Sequence, residues 1–157
     1  MSALTEATAE TVQRPRLLRL LHYWQARRGS KAMPARADID PMDFSWILGN
    51  VSLVDVVRDQ DSGLRFRFRL TGTRAVQRLG YDMTGRWLED VPEPGYRLRL
   101  QKAYAEVVKA RMPLVEQLDM LLDHRVHNYE ILRLPLGADG ETVDMIVLAV
   151  DFYDPHV

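Results

Sequence analysis

The chain's histidines are its most obvious metal ligands, and their spacing argues against a metal site. His124 and His127 bracket Arg125-Val126, with Asp123 beside them. A zinc or iron centre needs three or four converging ligands, and no further donor is signalled nearby, so a solvated turn is the expected reading and no metal is assigned. His22 and His156 stand far away in sequence. For catalysis one looks for a nucleophile with a base, or for paired carboxylates with a reason to be buried. Asp38 and Asp40 precede Pro41 and read instead as turn and cap residues, whose side chains satisfy free backbone donors at a helix start. Asp55, Glu116, Asp119 and Glu130 fall in extended runs, where outward positions make them ordinary cross-strand partners of arginines. No catalytic constellation emerges, and the chain is read as a non-enzyme.

Composition narrows the field further. There is no cysteine, which excludes disulfides, thiolate nucleophiles, Cys-ligated zinc, iron–sulfur clusters and cysteine-linked chromophores. With 21 basic and 22 acidic residues in 157, no bulk charge draws the chain to nucleic acid. Apolar residues make up 46% and charged ones 27%, the balance of a globular domain, and the length suits one such domain. The first residues lack the basic start and apolar run of a secretory signal, and no window approaches a membrane span, so a cytoplasmic location is expected.

The elements that must position any site are legible in the apolar spacing. Residues 1–14 are small and polar and are expected to form a flexible tail; residues 15–157 form the single domain. Pro15 suits a first helical turn, and a helix over 15–28 carries Leu17, Leu21 and Trp24 at one-turn spacing, with Leu18 and Leu20 widening the stripe and Gly29 at its end. A brief helix is predicted over 41–48. Residues 51–57 and 64–70 read as a hairpin, in which Leu64, Phe66, Phe68 and Leu70 fall on one face and Arg65, Arg67 and Arg69 on the other. Matching the apolar faces sets residue 54 opposite 68, 56 opposite 66, and Asp55 opposite Arg67. A short helix over 74–79 leads to Gly80 and Gly85, which let the chain reverse. A helix over 95–111 and three strands, over 114–122, 126–134 and 143–152, complete an α+β domain: a five-stranded antiparallel sheet with helices on one face and an N-terminal helix.

Five pieces of the chain, in this order and spacing, resemble a PAS domain. They are Leu21-His22-Tyr23-Trp24, the Pro34 to Pro41 run PARADIDP, Arg67-Phe68-Arg69-Leu70-Thr71-Gly72-Thr73, Gly80-Tyr81-Asp82-Met83-Thr84-Gly85, and Leu134-Pro135-Leu136. More narrowly, the chain is similar to the standalone single-domain PAS family of proteobacteria, formerly a domain of unknown function. The resemblance implies a pocket between sheet and helices in many members, and dimerisation through elements that include the N-terminal helix. PAS domains sense ligands or join proteins and usually regulate an attached kinase or cyclase. This chain has no room for one, so its output is expected to be a partner protein. Several PAS sensors hold haem on a histidine of the long central helix; residues 95–111 contain none, and no cofactor is assigned.

On that fold Phe66, Phe68, Tyr81, Trp87, Tyr104, Met120 and Tyr129 are expected between sheet and helices. They would line a pocket for a small apolar ligand, or else simply fill a closed core, and both readings stay open. Leu17, Leu18, Leu21 and Trp24 are expected to form a homodimer face, so that replacing Leu21 and Trp24 by Glu would leave a folded monomer. The expected function is a non-enzymatic sensory or protein-interaction module that regulates partner proteins. Two alternatives are an enzyme or carrier on a cone-type α+β fold, and a membrane-surface adaptor using the basic N-terminal helix, whose stripe is read in preference as packing or dimerisation.

Overall fold

In a computed structural model, residues 4–122 and 124–153 are described, the side chains at 120, 122, 125 and 127 excepted. Residues 4–14, expected as a flexible tail, are packed. Their first strand, β1 (Thr5–Glu6), pairs antiparallel with Val115 and Leu114. Ala7 and Val12 are buried, and Thr8 and Thr11 knot the turn between them, the Thr8 amide donating to Thr11 Oγ1 and the Thr11 amide to Thr8 Oγ1. Threonine hydroxyls supply the local partners that a polar segment without apolar periodicity otherwise takes from water.

Helix α1 (Pro15–Arg28) begins on Pro15 and buries Leu17, Leu20, Leu21 and Trp24. A 3-10 helix over Pro41–Asn50 follows, with Asp40 accepting from the Met42 amide as its cap and a kink at Phe44. Strands β2 (Val51–Asp59) and β3 (Gly63–Leu70) pair with Val54 opposite Phe68, Asp55 opposite Arg67 and Val56 opposite Phe66, the register that the apolar faces require. The ion pair is diagonal, however: Arg69 Nε donates to Asp55 at 2.9 Å. Helix α2 (Thr73–Leu79) starts after Gly72, where a Cβ would lie 2.7 Å from the Val51 carbonyl oxygen; glycine is needed for that close approach. Helix α3 (Pro94–Ala110) and strands β4 (Leu114–Leu122), β5 (Arg125–Leu136) and β6 (Met145–Phe152) complete the chain.

The strand order is β1-β4-β5-β6-β2-β3, antiparallel at every pairing. The sheet therefore has six strands, the sixth being the short edge strand built from the expected tail. Both faces of its centre are covered. Because side chains alternate along a strand, β5 serves two neighbours: Tyr129, Ile131 and Arg133 look toward α3, while Glu130, Leu132 and Leu134 look toward α1. The indole Nε1 of Trp24 donates to the Pro135 carbonyl at 2.8 Å and pins α1 to the strand.

Candidate functional site

Between the inner face of the sheet and helices α2 and α3 lies a cavity of about 70 Å³, walled by Phe68, Tyr81, Tyr96, Tyr104, Ile131 and Arg133 among others. A second cavity, of about 230 Å³, opens toward the β4 edge beside Arg99, Lys102, Glu116, Leu118 and Tyr129. Leu4, at the start of the packed N-terminal segment, closes part of its mouth. Leu100, Ile131 and Arg133 line both, so they form the wall between them. Apolar walls with a few polar groups are the composition of a small-molecule site.

The polar centre of this space is an ion pair. Arg133 Nη1 donates to Glu116 Oε1 at 2.8 Å, with the residues 2% and 7% exposed. The Nε atom of Arg133 is buried and has no acceptor among the described residues. A buried donor left without a partner costs about 1–3 kcal/mol, and a desolvated ion pair is weak evidence for stability in itself. A guanidinium held in a cavity wall gives that wall a fixed positive charge.

Around it stand phenols that stay neutral. Burial raises the Tyr104, Tyr129 and Tyr96 hydroxyls above their ordinary value, with neighbouring arginines pulling the other way to a smaller extent. Tyr81 is raised by burial first and then by Glu93, whose carboxylate accepts its hydroxyl at 2.8 Å. The site therefore offers un-ionised hydroxyls beside one buried guanidinium.

Of the residues expected to line a pocket, Phe68, Tyr81, Tyr104 and Tyr129 do so. Phe66 is fully buried and packs edge-on against Tyr104, 5.4 Å between centroids, as part of the core. Trp87 lies elsewhere: it bridges to Arg67 at the β3 edge, and the Arg65 guanidinium stacks on its ring at 3.8 Å. At an exposed site such a cation–ring contact is worth about 0.5–1 kcal/mol. The Met120 side chain, Asp123, the His127 side chain and His156 lie outside the described residues. His124 takes a left-handed φ of 61° in the turn after β4. Among the described residues no group of three or more carboxylates and imidazoles gathers as metal ligands do.

Arg133 and Glu116 were not singled out as a site by sequence reasoning, which placed Glu116 on an outward face. The signal was present: in Ile131-Leu132-Arg133-Leu134-Pro135-Leu136 the arginine interrupts an otherwise apolar strand. A strand apolar on both faces is covered on both, so a charge inside it is buried.

The apolar stripe expected to face a second copy is turned inward. Leu17, Leu21 and Trp24 are buried against the chain's own sheet, and Leu18 is only half-buried. The outer side of the sheet needs an apolar cover, and α1 is the element that supplies it. Glu130, 0% exposed, accepts from the amides of Gln13 and Arg14 at 2.9 and 2.8 Å, so a strand carboxylate caps a helix that has no capping side chain of its own. The arginines that make α1 look like an interfacial helix have partners within the fold. Arg14 pairs with Asp151, Arg27 with Asp43, and Arg19 stacks on Trp46. Among the described residues no helix is long and apolar enough to cross a membrane.

Comparison with the curated proteins finds no match. Among solved structures the chain is similar to an RNA-binding light-oxygen-voltage receptor, at 11% identity and a TM-score of 0.47, over 97% of this chain and 38% of that one. A protein-family model for the PAS domain matches residues 12–149. That span takes in α1, all the helices after it and nearly the whole sheet, and the chain accordingly belongs to the PAS domain family, a family of sensory and interaction modules that are typically non-catalytic.

Proposed function

We propose that this chain is a non-enzymatic PAS sensor that regulates a partner protein in the cytoplasm as a homodimer, under the control of a small molecule held between the sheet and α3. The observation that carries the reading is the double service of β5. Ile131 and Arg133 line the cavities, and Glu130, one residue away, holds the first amides of α1. Any shift of β5 that a ligand favours is therefore felt at the start of α1. The ligand moves that equilibrium only by the ratio of its affinities for the two arrangements. A second copy and the partner protein would read the change through α1 and its neighbours, on surfaces other than the inward stripe.

Native mass spectrometry of the protein purified from its own cells, with a denatured aliquot and an absorbance scan of the same sample, tests this. A retained small molecule on a dimer supports the sensor. A bare chain whose α1 amides exchange hydrogen at the same rate with and without cell extract overturns it and leaves a docking module with a closed core.

A further inference from the structure

The two cavities share a wall that contains the one arginine of the site whose side chain is almost wholly withdrawn from water, 3% exposed. An arginine has five N–H donors. Glu116 takes Nη1, and among the described residues Nε has no acceptor although it is fully shielded. A neutral apolar occupant would leave that donor idle, and a cation would be repelled by it. The larger cavity adds Arg99 and Lys102, both exposed, so its lining carries three cations against the single carboxylate of Glu116. The remainder of its wall is apolar, chiefly Leu100, Leu118 and Ile131.

We propose that the cavity binds a small amphipathic monocarboxylate, its carboxylate on Arg133 and its apolar body against Leu100, Leu118 and Ile131; this rests on reading the cavity as a ligand site. The cations at the rim attract the anion and the buried guanidinium orients it, since arginine matches a carboxylate in geometry as well as in charge. The phenol of Tyr129, which lines the same cavity and is kept neutral by burial, can donate to an anion without opposing it. Glu116 is the built-in competitor: it neutralises Arg133 while the cavity is empty and limits how tightly an incoming acid is held. A cavity of about 230 Å³ has room for on the order of eight non-hydrogen atoms, which sets the size class at that of a six-carbon acid.

Isothermal titration of the full chain with hexanoate, and with hexanamide as its uncharged counterpart, tests the assignment. Hexanoate is expected to bind at least tenfold more tightly, and Glu116→Gln to widen that preference severalfold by freeing Arg133 for the ligand. Arg133→Gln should abolish it. Arg133→Gln leaves the Glu116 carboxylate uncompensated in the interior and is at risk of not folding, whereas a glutamine at 116 keeps an amide oxygen to accept from Arg133 Nη1, so Glu116→Gln, with its fold checked by circular dichroism, is the deciding one: an unchanged or reduced preference overturns the proposal. Equal binding of the acid and the amide overturns the carboxylate while leaving the ligand cavity in place. Binding of neither overturns the proposal, and the absence of any retained small molecule in native mass spectrometry then takes the cavity reading down with it.

Discussion

Arg133 reaches diagonally across the β4–β5 ladder to Glu116, 2.8 Å from Nη1 to Oε1, whereas the residue directly opposite it is Leu114. Diagonal neighbours on one face lie within reach of long side chains. The pair belongs to the inner face of the sheet, where α3 shields it from water. Removing one partner leaves a charge stranded. Arg133→Met is expected to lower stability by about 3–5 kcal/mol, and Arg133→Met with Glu116→Leu to restore most of that loss. Urea unfolding of the two single variants and the double variant forms the cycle, and additive losses would refute the coupling.

On the opposite face of the same strand, Glu130→Ala removes the acceptor for the Gln13 and Arg14 amides and for Gln117 Nε2. The expected loss is about 1.5–3 kcal/mol, the range for bonds to a charged acceptor. Amide exchange should quicken at residues 13–18 ahead of the sheet. Protection at those amides equal to that of the parent chain would show that the helix start does not depend on Glu130.

Leu21→Glu distinguishes a core stripe from an exposed one. Leu21 is 0% exposed on the inward side of α1, so a buried carboxylate with no partner is expected to unfold the chain or lower its stability by several kcal/mol. Circular dichroism and thermal melting give the answer. A stable monomer with a native melt would restore the stripe to the surface.

Alkaline pH should loosen the inner face. Tyr104 and Tyr129 have hydroxyls raised above 10.0 by burial. In the unfolded chain they lose their protons near that ordinary value, while the folded chain keeps them, so above pH ~10 the unfolded state binds fewer protons. The stabilisation is whole below pH ~10 and declines as pH rises toward the folded value. Tyr104→Phe should flatten that decline in urea midpoints measured from pH 8 to 11; a slope identical to the parent's would rule Tyr104 out as its source.

Local chemistry determined much of this protein from the residues alone. The Phe/Arg alternation after Gly63 sets the hairpin register, since a one-residue slip would turn Phe66 and Phe68 outward. Pro15, Gly29 and Gly80 mark where helices begin and end, because φ is restricted at one and free at the others. What only the tertiary structure decided is which apolar face meets which neighbour. The periodicity of α1 requires that Leu17, Leu21 and Trp24 be covered, and it is equally satisfied by a second copy or by the chain's own sheet. A polar segment such as residues 4–14 can be ordered by its own threonine turn together with an open strand edge that lies more than a hundred residues away in sequence. Glu116 and Arg133 look like ordinary strand charges until α3 lies over them, because burial is a property of the assembled layers and has no local code.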